Sequence, residues 1–156
     1  MICAFLAALL MSPATEGGLT GFWHGADCIP AGLCEALFLF PDGNYFYHVP
    51  GGLSTVLGSA GTWRLTDDGL DLELRENRIV LARWNGTGPE VFPSPGEPVV
   101  YFCFGGEIHK EAGERPMITD VVSRSMWRLS DNPRDAMGFY LDRDLFSILF
   151  ENGGQP

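Results

Sequence analysis

The stretch Gly61-Thr62-Trp63-Arg64-Leu65-Thr66-Asp67-Asp68-Gly69-Leu70-Asp71-Leu72-Glu73-Leu74 constrains this chain more than any other. Leu70, Leu72 and Leu74 alternate with Asp71 and Glu73. That period of two puts one face of a strand in a core and the other in water. Between the two apolar runs, Asp68-Gly69 offers the positive φ angles of a tight hairpin. A chain built from such units folds as an antiparallel, hairpin-rich, half-solvated sheet. The hairpin sets the class and leaves the activity open.

A length of 156 residues fits one domain with a sizeable core, and 46% apolar residues exclude disorder. Twenty acidic residues stand against ten basic ones, nine of them Arg, with Lys110 the single lysine. The net charge of −10 repels a phosphate backbone and an anionic membrane surface, so neither nucleic acid nor such a membrane is an expected partner. A basic protein remains an allowed partner, because opposite fields steer encounter.

Met1 to Ala14 carry no charge, and the apolar run ends at Met11. It is too short for a bilayer, which needs about 20 residues, so no transmembrane span is expected. It matches the apolar core of a secretory signal, with Ser12 and Ala14 as small residues before a cleavage point, although the basic leading segment is missing. A buried N-terminal helix or strand is the other reading. Export is preferred: a signal peptide over residues 1–14, one domain over 15–156, and a periplasmic or secreted location. Cys3 is not preceded by a lipoprotein-type box, so no lipid anchor is expected. Of the other cysteines, Cys28 and Cys34 flank a short loop that bends at Pro30 and Gly32. A disulfide there would stabilise the fold by roughly 2 kcal/mol and suits an oxidising compartment. Their spacing is too wide for a redox Cys-x-x-Cys, and no second pair completes a four-cysteine zinc site. Cys103, inside the apolar run Val99–Phe104, reads as a buried free thiol.

Strands are predicted at 19–24, 35–40 and 44–49, with Pro41-Asp42-Gly43 turning between the last two. The opening hairpin covers 59–66 and 70–75. A turn at Glu76-Asn77 then leads into 78–84. Residues 85–98 hold four Pro and three Gly and predict a long loop without a regular strand. Within it, Val91 and Phe92 serve either as a lid over an opening or as a plug pinning a surface loop. Further strands are expected at 99–104, 107–110 and 119–129. A last pair at 139–141 and 145–150 surrounds Asp142-Arg143-Asp144, unless Leu145 begins a short helix. A weak echo links Trp63-Arg64-Leu65-Thr66-Asp67-Asp68 to Trp127-Arg128-Leu129-Ser130-Asp131-Asn132, two candidate entries to equivalent hairpins. The fold class is all-β: an up-and-down antiparallel meander of about 8–10 strands.

Gly21-Phe22-Trp23 on the first strand is similar to the Gly-x-Trp entry of lipocalin-like (calycin) barrels. Together with Phe40-Pro41-Asp42-Gly43-Asn44-Tyr45, Gly61-Thr62-Trp63 and the Asp-Gly hairpin, it makes residues 19–84 resemble small bacterial exported lipocalin-like domains. The resemblance implies a closed barrel, Trp23 packed across its closed end, and an apolar cavity for a small ligand. An eight-stranded barrel can instead be filled by its own side chains. Gly21-Phe22-Trp23-His24-Gly25 also resembles the opening of the haem-binding nitrobindin barrels. That family takes its axial histidine from near the C-terminus, and here no histidine follows His109, so no haem is expected.

Little else points to chemistry. His24, His48 and His109 fall on separate predicted strands without metal-ligand spacing, so no metal site is expected. There is no Gly-x-Ser-x-Gly, and no nucleophile–base pair can be assembled. Asp142 and Asp144 suit a solvated turn better than calcium or acid–base work. No catalytic residue and no cofactor is expected. The aromatics remain: Tyr45, Tyr47, Trp63 and Trp127 are the candidate ligand-binding residues, with Trp84 and Phe139 further liners. Tyr45 and Tyr47 share one strand face, Phe46 and His48 the other; one should be core and the other an exposed patch. Arg64 and Arg128 read as surface charges. Two functions stay open. The first is a non-enzymatic exported lipocalin-like protein binding a small apolar ligand. The second is an inhibitor- or immunity-type module that binds a basic enzyme in the envelope, with the Cys28–Cys34 loop as a preorganised insertion element.

Overall fold

Alternation of large apolar residues builds a sheet that is half-solvated in the opening hairpin, where Leu72 and Leu74 are buried and Arg64 and Arg75 exposed, and buried on both faces elsewhere, as at Leu37 to Phe40 and Tyr45 to Phe46. The computed structural model describes residues 16–25, 34–50, 55–69, 71–83, 90–94, 96–102, 117–120, 125–136 and 143–151. A short helix, α1 (Glu16–Leu19), leads into β1 (Gly21–Gly25), β2 (Ala36–Leu39), β3 (Asn44–Pro50), β4 (Thr55–Leu65) and β5 (Asp71–Arg83). Then follow β6 (Glu90–Pro93), β7 (Val99–Phe102), β8 (Met117–Asp120) and β9 (Ser125–Ser130). A 3₁₀ turn at Pro133–Ala136 precedes α2 (Arg143–Phe146), which runs on as a π-turn over Ser147–Glu151. Residues 1–14, Cys28, Cys103, His109, Trp84, Phe139 and Asp142 lie outside the described residues.

Every strand pairing is antiparallel, so the all-β antiparallel expectation holds. The order is β4-β3-β2-β1-β9-β8-β7-β5-β6, with β4 also paired to β5. Eight strands therefore have a neighbour on each side; β6 pairs with β5 alone. Near Asp71–Leu74 strand β5 pairs with β7, and near Arg78–Leu81 it pairs with β6.

Several local expectations are corrected. Glu76-Asn77 is no turn. Gly61 sits opposite Glu76 and Ala60 opposite Arg78, so Asn77 is the extra residue of a bulge inside one 13-residue strand. A Cβ at Gly61 would lie 2.0 Å from the Arg75 carbonyl oxygen, so only glycine permits this approach. Glu90–Pro93 forms a strand despite its prolines, because it lies on the margin of the sheet, where Pro93 need not donate to a ladder. The stretch 119–129 splits into β8 and β9. Leu19 closes α1 instead of opening a strand. The opening hairpin turns more widely than a two-residue loop: Gly69 N–H donates to Thr66 O at 2.8 Å and Thr66 N–H to Asp71 O at 2.8 Å.

The sheet has two faces. One, the tryptophan face, buries Leu19, Trp23, Leu37, Leu39, Tyr45, Trp63, Leu72, Leu74, Tyr101 and Met126. The other, the phenylalanine face, buries Phe22, Phe38, Phe40, Phe46, Ala60 and Val80 against Leu145, Phe146 and Leu149. Residues 145–150 are thus helical rather than a strand. Leu145, Phe146, Leu149 and Phe150 recur at helical spacing and fall on one side. Arg78 fastens this cover, donating from Nη1 to the Leu149 carbonyl at 3.0 Å. Phe46, in the cluster with α2, is as fully buried as Tyr45, and His48 is buried too, so β3 offers no exposed aromatic patch.

Candidate functional site: the tryptophan face

One end of the tryptophan face is locked by a cluster around Trp23. Its indole N–H donates to the Leu19 carbonyl at 2.9 Å. The Arg128 guanidinium lies 5.7 Å from the centre of the Trp23 ring and donates to the Gly18 carbonyl at 2.8 Å. Both contacts hold α1 across this end, in keeping with a cation–π distance under about 6 Å. Gly21 has φ +148°, and a Cβ there would lie 2.3 Å from the Ser130 carbonyl oxygen, which explains the glycine two residues before the tryptophan. Arg128 is therefore no ordinary surface charge. Arg64 is one: it pairs with Glu73 at 3.0 Å, as Arg75 does at 3.1 Å. The two arginines hold the Glu73 carboxyl below its usual range by hydrogen bonding. The echo between Trp63-Arg64 and Trp127-Arg128 is consequently one of sequence, not of environment.

Three of the four candidate ligand residues, Tyr45, Tyr47 and Trp63, share this face; Trp127, the register partner of His24, only packs against its cluster. Tyr45 is fully buried and Trp63 nearly so, with its indole N–H donating to Phe40 O at 2.8 Å. Tyr47 and Trp127 are half-buried and pack against the same cluster. The Tyr47 and Tyr101 rings meet edge-on, 6.4 Å apart. Tyr45 Oη and Ser59 Oγ share a hydrogen bond of 3.1 Å. Burial pushes the Tyr45 hydroxyl up to about 12, the Ser59 hydrogen bond opposes this, and the Glu76 charge adds to it. The phenol therefore stays protonated at any physiological pH.

Residues missed by the sequence lie alongside. Register sets Leu37, Tyr47, Ser59, Ile79 and Phe92 in one row across β2 to β6. A second row runs Leu39, Tyr45, Gly61, Glu76. The Ser94 hydroxyl bonds to the Glu76 carboxylate. Ile79 and Phe92 are 39% and 46% exposed, so the apolar row ends in solvent. Phe92 stands exposed beside Ile79, while Val91 packs against the phenylalanine face. No pattern in the chain could have assembled these rows, because the bulge at Asn77 shifts which residues of β5 share a face.

On the phenylalanine face, His24 and His48 flank Ala36 in register. Burial lowers the pKa of both, and the proximity of His24 lowers that of His48 further. Cys34 is buried and disulfide-bonded; its partner lies outside the described residues. Among the described residues no group of three or more His, Cys, Asp or Glu is placed to hold a metal ion, and no helix is long and apolar enough to cross a membrane. No protein-family model, no curated protein and no solved structure matches this chain.

Proposed function

We propose that this chain is a non-enzymatic, exported, lipocalin-like protein whose sheet closes into a barrel and whose tryptophan face takes a small apolar ligand. The observation that carries the reading is the row in which buried Leu37 and half-buried Tyr47 lead, past the Ser59 hydroxyl, to exposed Ile79 and Phe92. An apolar path from solvent to core is what a carrier needs. Closure is supported by the pairing of β9 with β1 and of β4 with β5, which leaves eight strands without a free edge. Export rests on the uncharged leader, and with it goes a Cys28–Cys34 disulfide. Native mass spectrometry of protein purified from the exported fraction tests the whole reading. A retained small-molecule mass that disappears on denaturation is expected. A bare mass, together with no saturable uptake of an apolar fluorescent probe, would overturn it.

A second reading, a module that binds a basic enzyme, draws on a specific feature. Glu16, Asp42, Asp67, Asp68, Asp131 and Asp135 are all exposed, on α1 and on the turns at the Trp23 end. Such a field steers a basic partner. Association that weakens steeply with salt, without any apolar ligand, would favour it.

A further inference from the structure

The tryptophan face also carries information on the head group of its ligand, an inference that rests on the carrier reading above. Tyr45 and Ser59 share one hydrogen bond. Two hydroxyls bring two O–H donors and four acceptor lone pairs, so one donor and several lone pairs remain for a further partner. Both residues are buried, at 0% and 9% exposure. Ser59 is the register partner of Ile79, and Ile79 of Phe92. Hydroxyls and apolar lip therefore lie within two strand spacings, about 10 Å.

Among the described residues, the charge next to the hydroxyls is the carboxylate of Glu76. Glu76 follows Tyr45 in its row across Gly61, which has no side chain to stand between them. Among the described residues, four cations are committed elsewhere: Arg64 and Arg75 to Glu73, Arg78 to the carbonyls of the π-turn, and Arg128 to Gly18 and Trp23. A carboxylate brought to the Tyr45 hydroxyl would meet the neighbouring Glu76 carboxylate, at a site where desolvation already disfavours charge.

We infer that the ligand is an amphiphile with an uncharged or cationic hydrogen-bonding head, such as an alcohol or amine, seated at the Tyr45–Ser59 hydroxyls with its tail along Ile79 and Phe92. A fatty carboxylate is discriminated against by Glu76.

The test uses three probes of equal chain length: lauryl alcohol, laurylamine and laurate, each titrated into the full chain below its aggregation limit and followed by tryptophan fluorescence and native mass spectrometry. Alcohol and amine are expected to bind at least about tenfold more tightly than laurate. Glu76→Gln is expected to narrow that gap by raising laurate affinity, and Tyr45→Phe to narrow it by weakening the alcohol. Ile79→Ser with Phe92→Ser changes exposed positions, leaves the circular dichroism spectrum unchanged, and weakens all three probes. Laurate binding as tightly as the alcohol, or a gap untouched by Glu76→Gln, overturns the head-group inference and leaves the carrier reading standing. Failure of all three probes to bind overturns both.

Discussion

Arg128 reaches from β9 to the Gly18 carbonyl and the Trp23 ring, tying the late strand to α1 and β1 at the other end of the described chain. A hydrogen bond from a charged donor contributes about 1.5–3 kcal/mol. Arg128→Ala should therefore lower stability by roughly 2 kcal/mol in urea unfolding, with a shift in tryptophan emission as α1 loosens from Trp23. Lysine cannot reproduce a planar guanidinium over an indole, so Arg128→Lys should recover less than half of the loss. Equal stability of the alanine variant and the native chain would show the contact to be idle. Gly61 is the other residue that decides local structure. Its Cβ would occupy the place of the Arg75 carbonyl oxygen, 2.0 Å away. Gly61→Ala should cost about 3 kcal/mol, the upper end for overpacking, and should slow recovery of native tryptophan fluorescence. The Gly-x-Trp entry was legible in the chain; the role of Arg128 was not, because its partners lie more than a hundred residues away.

At the scale of elements, α2 and its π-turn cover the phenylalanine face around Phe38, Phe40 and Phe46. Phe146 contacts Phe40 and Phe150 with ring centroids 5.5 and 5.1 Å apart, and Arg134 lies 4.9 Å above it. Phe146→Ala should lower stability by about 3–5 kcal/mol, as buried phenylalanines do. Arg78→Ala should instead raise amide exchange within residues 143–151 while leaving β1 to β3 protected, because it removes the fastening and not the apolar contact. Exchange rising evenly through the sheet would contradict a separable cover. Strand pairs joined by short turns were readable, as at Pro41-Asp42-Gly43, where Gly43 takes φ +83°. The error fell at Glu76-Asn77; at 145–150 the structure takes the helix that was the alternative to a strand. A bulge and a turn share polar residues, and a short run such as Leu145–Phe150, apolar except for Ser147, fits a strand or a helix equally.

At the scale of the molecule, buried His48 and half-buried His24 set a pH dependence. Burial holds His48 and His24 below the ordinary histidine value. The unfolded chain then binds protons first, so this contribution to stability is complete above about pH 6.5 and is lost as pH falls from there toward the folded values. Each histidine contributes at most about 1.4 kcal/mol per pH unit in that window. Urea midpoints of the native chain should fall between neutral and mildly acidic pH, and His48→Gln should flatten the decline. An unchanged slope would remove His48 as the cause. The six exposed carboxylates at the Trp23 end act over the same scale as a single field that salt screens within about 10 Å.

Alternation of apolar residues and the placement of Gly and Pro, both local properties, determined that this chain forms antiparallel strands and where most of them turn. They also placed Tyr45, Tyr47 and Trp63 on faces that turn toward a core. The tertiary structure alone decided which strands meet, that β5 serves β7 at one end and β6 at the other, that both faces are buried at Leu37 to Phe40 and Tyr45 to Phe46, and that Ser59, Glu76, Ile79 and Phe92 line up beside Tyr45. A one-residue bulge and a helix from the far end of the chain made those choices. Register and long-range docking follow from packing across the whole sheet, which no window of the sequence contains.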